Sequence, residues 1–200
     1  MRASQIFLLS PAHCGGKRAG YLINPEAAFP LARKIQDDGI TLGEAFSFLS
    51  GLYFRGKLAY ATRFGRPPPG KAGVLVITAN RGLLPVDTPV RAGDLTAFGD
   101  VDIHQDDPRY REPLERDLAS LVPSRGRVVL LGSIATAKYV DVLVGALGSR
   151  LLFPADFVGR GDMSRGALLL RAAREGRELE YVPLPGAVRS TARPRTKAAP

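Results

Sequence analysis

Arg127-Val128-Val129-Leu130-Leu131, followed at once by Gly132-Ser133, is an apolar run too short for a core helix and free of polar alternation. A strand covered on both faces in a parallel sheet has this pattern, because neither face meets water. Three other runs share it, at residues 5–9, 74–78 and 150–153. Helical patterns lie between them. Thr41-Leu42-Gly43-Glu44 has the spacing of a capping box, and Phe46, Leu49 and Tyr53 fall on one face of a helix running towards Ala61. Asp107-Pro108 places a cap and a first-turn proline before the stripe Tyr110, Leu114, Leu118 and Leu121. Residues 134–147 and 164–175 read as further helices, the latter stopped by Gly176, and Asn24-Pro25 as the opening of a short one interrupted or kinked at Pro30. Strands alternating with helices imply right-handed crossovers. The expected fold is therefore α/β, a three-layer sandwich around a central, mainly parallel four-stranded sheet. Residues 1–182 are expected to form one domain and 183–200, rich in Pro, Ala and Arg, a disordered tail.

The 200 residues are 45% apolar and 24% charged, the balance of a soluble globular chain and not of a disordered or membrane one. No run approaches the length needed to cross a bilayer, and Ile6-Phe7-Leu8-Leu9 after Met1-Arg2 is too short for a secretory signal. A cytoplasmic site is the expectation. Cys14 is the only cysteine, so no intrachain disulfide can form, and with only His13 and His104 beside it Cys/His zinc sites are excluded. Neither a cofactor nor a metal is expected. Twenty-eight Lys and Arg against nineteen Asp and Glu give a net charge of +9, which makes nucleic acid the first partner to consider. Arg189, Arg193, Arg195 and Lys197 in the terminal segment supply four of those charges.

Ligands of an open parallel sheet bind beyond the carboxyl ends of its strands. The first such segment is Ser10-Pro11-Ala12-His13-Cys14-Gly15-Gly16-Lys17-Arg18, where two glycines allow close backbone approach and two cations suit a phosphate, or else form a plain glycine turn with solvated charges. His13 is a candidate acid or donor to a base. In Thr78-Ala79-Asn80-Arg81-Gly82, Asn80 can read the edge of a nucleobase or serve as a turn residue. Asp87 and Asp94 follow as candidate carboxylates. The acidic stretch Asp100, Asp102, Asp106 and Asp107 around His104 admits Mg²⁺ on paper, but Asp107 reads as a helix cap. The segment from Pro154 to Gly166 carries Asp156, Phe157, Arg160, Asp162, Met163, Ser164 and Arg165 and runs into a helix. Phe157 or Met163 flanked by arginines has the make-up of an apolar wedge that enters a base stack while Arg160 and Arg165 hold the backbone. Tyr53 continues a core stripe, and Arg55 and Lys57 are candidates to line a nucleic-acid groove.

The order of these segments resembles the uracil-DNA glycosylase fold. Residues 128–135, the helix after them, Leu151-Leu152-Phe153-Pro154 and the following Ser/Arg/Gly loop are similar to its second half, and Val74 to Asn80 resembles the strand ending in that family's base-reading asparagine. Leu52-Tyr53, Gly82-Leu83 and Asp94-Leu95 also resemble the YaaA-like proteins and the related module of archaeosine synthase, which are similar to that fold. The likeness implies a DNA glycosylase that flips out a modified base and hydrolyses its N-glycosidic bond, or a YaaA-like DNA-binding stress protein without hydrolysis, or an enzyme acting on free nucleosides. The departures are specific. No carboxylate follows the first strand where the family carries its water-activating Asp, and Phe153-Pro154-Ala155-Asp156 replaces a histidine-proline-serine-proline loop. The acid then has to come from Asp87, Asp94, Asp156 or Asp162, and a bulky or bacteriophage base is a better target than uracil. The candidates to contact the base are then Asn80, which the resemblance points to, with Ser10 and Phe157, and those to contact DNA are Lys17, Arg18, Arg55, Lys57, Arg81, Arg160, Ser164 and Arg165.

Overall fold

The computed structural model describes residues 3–121, 126–134 and 137–184. The four runs read as strands are β1 (Gln5–Leu9), β3 (Val74–Ile77), β6 (Arg127–Leu131) and β7 (Leu151–Pro154). They sit side by side in the order β3-β1-β6-β7, every pair parallel, with Phe7 opposite both Val74 and Val129. All five residues of β1 are buried, as a two-sided strand requires.

The sheet is wider than the four strands expected. An antiparallel strand closes each edge, β4 (Leu83–Pro85) against β3 and β8 (Tyr181–Pro183) against β7, and a separate antiparallel pair joins β2 (Ile40–Thr41) to β5 (Pro89–Val90). Pro85 and Pro183 cannot donate to a ladder, which confines such strands to edges. Pro183 thus belongs to the sheet and Leu184 is buried; the rest of the expected tail, 185–200, lies outside the described residues.

The helices are α1 (Lys17–Ile23), α2 (Pro30–Asp37), α3 (Leu42–Ser50), α4 (Leu52–Phe64), α5 (Ala92–Gly99), α6 (Pro108–Leu121), α7 (Ala137–Leu147) and α8 (Asp162–Glu175). Helices α1 and α5 were not expected from the sequence, and others differ from expectation. Asn24-Pro25 opens no helix, because the Asn24 side chain accepts from the Glu26 amide at 3.0 Å in a local turn, and Pro30 starts α2 at its first position instead of kinking it. The helix from Thr41 does not run through to Ala61. It breaks at Gly51, whose φ of 60° and ψ of −130° suit glycine, and resumes as α4. The capping box at Thr41 is present with both hydrogen bonds. Asp107 caps α6 through the Arg109 amide, and Gly176, at φ 66°, ends α8.

No helix among the described residues is long and apolar enough to cross a membrane. Helices α4 and α8 form the most extensive helix pair, and α6 packs on α7. The α4–α8 contact runs through two glycines: a Cβ on Gly56 would lie 2.5 Å from the Gly166 carbonyl oxygen, and one on Gly166 would lie 2.9 Å from that of Leu52. Only backbone fits there. Replacing Gly56 by Ala should therefore destabilise by about 1–3 kcal/mol despite alanine's better helix propensity. Gly145 in α7 faces open space. Its Gly145→Ala change should stabilise by about 0.5–1 kcal/mol. Urea unfolding of both variants checks the contact, and shifts of the same sign would contradict it.

Candidate functional site

Strand β1 sends its chain towards β3 on one side, and β6 sends its chain towards β7 on the other. Such a divergence opens a crevice at the carboxyl ends of the two strands. Here it holds a cavity of about 390 Å³. Ser10 and His13 reach it from the end of β1, Ser133 from the end of β6, Lys138 and Tyr139 from α7, Tyr53 and Lys57 from α4, and Asp162 from the first turn of α8. A smaller hollow of about 150 Å³ shares His13, Ile103 and Lys138 with it and adds Cys14, Gly15 and Ala79.

Lys57 forms the floor. It is only 1% exposed, and its Nζ donates to the backbone oxygen of Ser10 at 2.7 Å and to Ser10 Oγ at 2.8 Å. The rings of Tyr53 and Phe54 lie 4.6 and 4.9 Å from Nζ. Burial pulls its pKa down to about 7, with the Asp162 charge acting the other way. Tyr139 donates to the Ser133 carbonyl at 2.6 Å, and burial pushes its hydroxyl up to about 12. Gly132 lets Ser10 and Tyr139 pack closely against the chain after β6, since a Cβ there would lie 2.8 Å from Ser10 Cβ and from Tyr139 Oη. Tyr53 is 6% exposed, and its buried Oη has no hydrogen-bond partner among the described residues. Burial also raises its pKa, while the nearby Arg165 guanidinium lowers it. Cys14 borders the smaller hollow as a buried thiol, pushed up to about 12 by desolvation, and is no nucleophile near neutrality.

No family model, curated protein or solved structure matches this chain. The site's chemistry rests on its own residues.

Of the side chains singled out from sequence, Ser10, His13, Lys57 and Asp162 meet in the cavity. Arg18 lies near its rim, donating to the Phe48 carbonyl at 3.2 Å beside Gly51, while Lys17 is an exposed residue at the start of α1. The other three aspartates are elsewhere. Asp94 accepts from the Arg91 amide at 2.8 Å and pairs with Arg81 at 3.1 Å, which occupies both side chains. Asp87 and Arg55 border a separate, mainly apolar hollow with Phe48 and Leu58. Asp156 is exposed in a short turn, where its carbonyl accepts from Arg160 Nε at 2.8 Å. Asn80 donates to the Ala97 carbonyl at 2.8 Å, and Gly82, at φ 66°, turns the chain from β3 into β4. The Asn80 bond is a tether to α5; its buried Oδ1 has no hydrogen-bond partner among the described residues, and Ala79 beside it borders the smaller hollow.

The expected wedge is not Phe157. The turn at 155–157 folds its ring inward, edge-on to Phe153 at 5.4 Å, and leaves it fully buried. Arg165, 9% exposed, is likewise no phosphate clamp: Nε and Nη2 donate to the Phe157 carbonyl at 3.2 Å, and Nη1 lies 3.5 Å from Asp162. Met163, at 68% exposure, and Val158, at 49%, are the large apolar residues of this segment that face solvent, with Arg160 and Ser164 also exposed. Among the described residues no three His, Cys, Asp or Glu side chains gather as a metal ligand set, the acidic stretch around His104 included. Sequence reading singled out none of Ser50, Ser133, Lys138 and Tyr139, and it placed Lys57 in an open groove. The usable signal was spacing, since Lys57 follows Tyr53 by one helical turn and so shares its buried face.

A lysine whose pKa falls on folding binds fewer protons in the native than in the unfolded state between about 7 and 10.5. Stability from this group therefore rises with pH across that window and is lost as pH falls towards 7. Lys57→Met removes the effect. The stability advantage of the variant over the parent should shrink by up to about 1.4 kcal/mol per pH unit from pH 7 to 9. Parallel urea titrations at several pH values measure this gap, and one that stays constant would refute a depressed Lys57.

Proposed function

We propose that the protein is a DNA glycosylase of the uracil-DNA glycosylase-like kind, excising a modified base by hydrolysis of its N-glycosidic bond. One observation carries the proposal: of the four aspartates available as the missing acid, Asp162 alone enters the cavity that Ser10, His13 and Lys57 also line. Cleavage of the bond builds positive charge on the sugar, and a carboxylate placed beside C1′ stabilises that charge or orients water. Arg165, 3.5 Å away, positions the Asp162 carboxylate.

The other groups divide the remaining work. Lys57 and the unpartnered Tyr53 Oη offer donors to the oxygens of an everted base, and His13 lies where a proton can pass to the leaving nitrogen. Lys138 lines the cavity and Arg18 lies beside Gly51, next to the lining residue Ser50; these two cations suit the phosphates flanking the flipped nucleotide. The net charge of +9 favours the encounter with DNA. A cytoplasmic site of action goes with this substrate.

Duplexes each carrying one modified base, including bulky and bacteriophage types, provide the test. Mass spectrometry should detect a free base, and alkali should break the strand at the same position. Asp162→Asn should lower the rate by about 100-fold or more, while Asp87→Asn should leave it unchanged. Tight, salt-sensitive binding with no free base and no abasic site would instead identify a DNA-binding protein without hydrolysis.

A further inference from the structure

Lys57 is more than a donor in this cavity. Its ammonium carries no ion pair among the described residues, and its polar partners are both neutral oxygens of Ser10. A buried lysine with only neutral partners is costly to keep charged. The resulting pKa of about 7 leaves a large neutral fraction, with its lone pair available, at physiological pH. The Tyr53 and Phe54 rings, 4.6 and 4.9 Å from Nζ, add apolar surface around the amine, and Lys57 lines the cavity through which a substrate carbon would reach it. A lysine kept only to tether α4 to β1 would have no need to line a cavity.

We propose that Lys57 is an amine nucleophile that joins the protein transiently, through an imine, to the C1′ aldehyde of a deoxyribose that has lost its base. The step rests on the glycosylase function proposed above and extends it to a lyase. Nζ attacks the aldehyde carbon and the N–C1′ bond forms, while Ser10 Oγ, 2.8 Å from Nζ, relays the amine proton to the carbonyl oxygen. The carbinolamine hydroxyl then takes a proton from solvent or through His13, which lines the same cavity, and leaves as water to give the protonated imine; that proton is returned when the imine is hydrolysed. Asp162, in the same cavity, takes a proton from C2′; the electron pair moves through C2′–C3′, and the C3′–O bond breaks with the 3′-phosphate as leaving group. Water hydrolyses the imine and restores the free amine, so no oxidant or reductant is consumed.

The probe is a duplex with one preformed abasic site, incubated with the full chain and sodium borohydride, whose hydride reduces an imine to a stable secondary amine. A covalent protein–DNA adduct is expected, and peptide mapping of the unaltered protein should place it on Lys57. Lys57→Met should lower trapping at least tenfold, with circular dichroism confirming that the variant is folded. Lys71→Met, which changes a lysine outside the cavity, should trap as the parent does. No adduct, or an adduct mapped to another residue, overturns the inference. Base release measured in parallel separates the two proposals. A free base without a Lys57 adduct removes the imine and keeps the glycosylase, whereas a Lys57 adduct without base release keeps the imine and removes base excision.

Discussion

Gly56 and Gly166 let α4 and α8 meet backbone to backbone, and the composition of the cavity follows from that contact. Lys57 is the next residue along α4, so the same approach drives its side chain across the end of β1 onto Ser10. Asp162 and Arg165 occupy the turn of α8 just before Gly166 and are carried into the same space. Any side chain at either glycine would separate the helices and admit water beside Nζ. The perturbed lysine is thus a consequence of helix packing, and the helix packing a consequence of two missing Cβ atoms.

The crevice itself has a separate origin. Four strands with two buried faces must be covered by helices on both sides, and right-handed crossovers in opposite directions leave β1 and β6 without a covering connection at their carboxyl ends. Ser10 and Ser133 are the first exits from those strands. Gly132 sets how closely the two exits approach, because a larger residue would push Ser10 and Tyr139 away. Sheet topology sets where the cavity is, and the α4–α8 contact sets what chemistry enters it.

The central strands were legible because burial on both faces writes an unbroken apolar run into the sequence. The edge strands were not, since Leu83–Pro85 and Tyr181–Pro183 are three residues long, partly exposed and end in proline. The break at Gly51 was hidden because a glycine inside a helical pattern is ordinarily tolerated. In the site, Ser10, His13 and Asp162 could be found from their position after strands. Lys57 was found but given an exposed place, as lysine is rarely buried, although its spacing from Tyr53 already pointed inward. Phe157 and Arg165 failed as DNA-facing residues for one shared reason. The short turn after β7 reverses the ring onto Phe153, and the guanidinium then stacks 5.5 Å from that ring and caps the Phe157 carbonyl.

The distribution of charge separates the cavity from the rest of the surface. Elsewhere many acids are matched locally, Asp94 with Arg81, Asp107 with Arg109, Glu115 with Arg111 and Glu178 with Arg66. Such pairs, mostly exposed, add little stability, yet they cancel much of the field around them. In the cavity, Asp162 is the carboxylate, already beside Arg165, and Lys138 is a cation without an ion pair among the described residues, while Lys57 is only partly charged near neutrality. The local field there attracts an anion, and it strengthens where burial lowers the effective dielectric. A phosphodiester brought in by that field would carry its sugar towards the one carboxylate able to respond to positive charge at C1′. Under the proposed glycosylase function, the cations would supply the attraction and Asp162 the place where charge at C1′ is met.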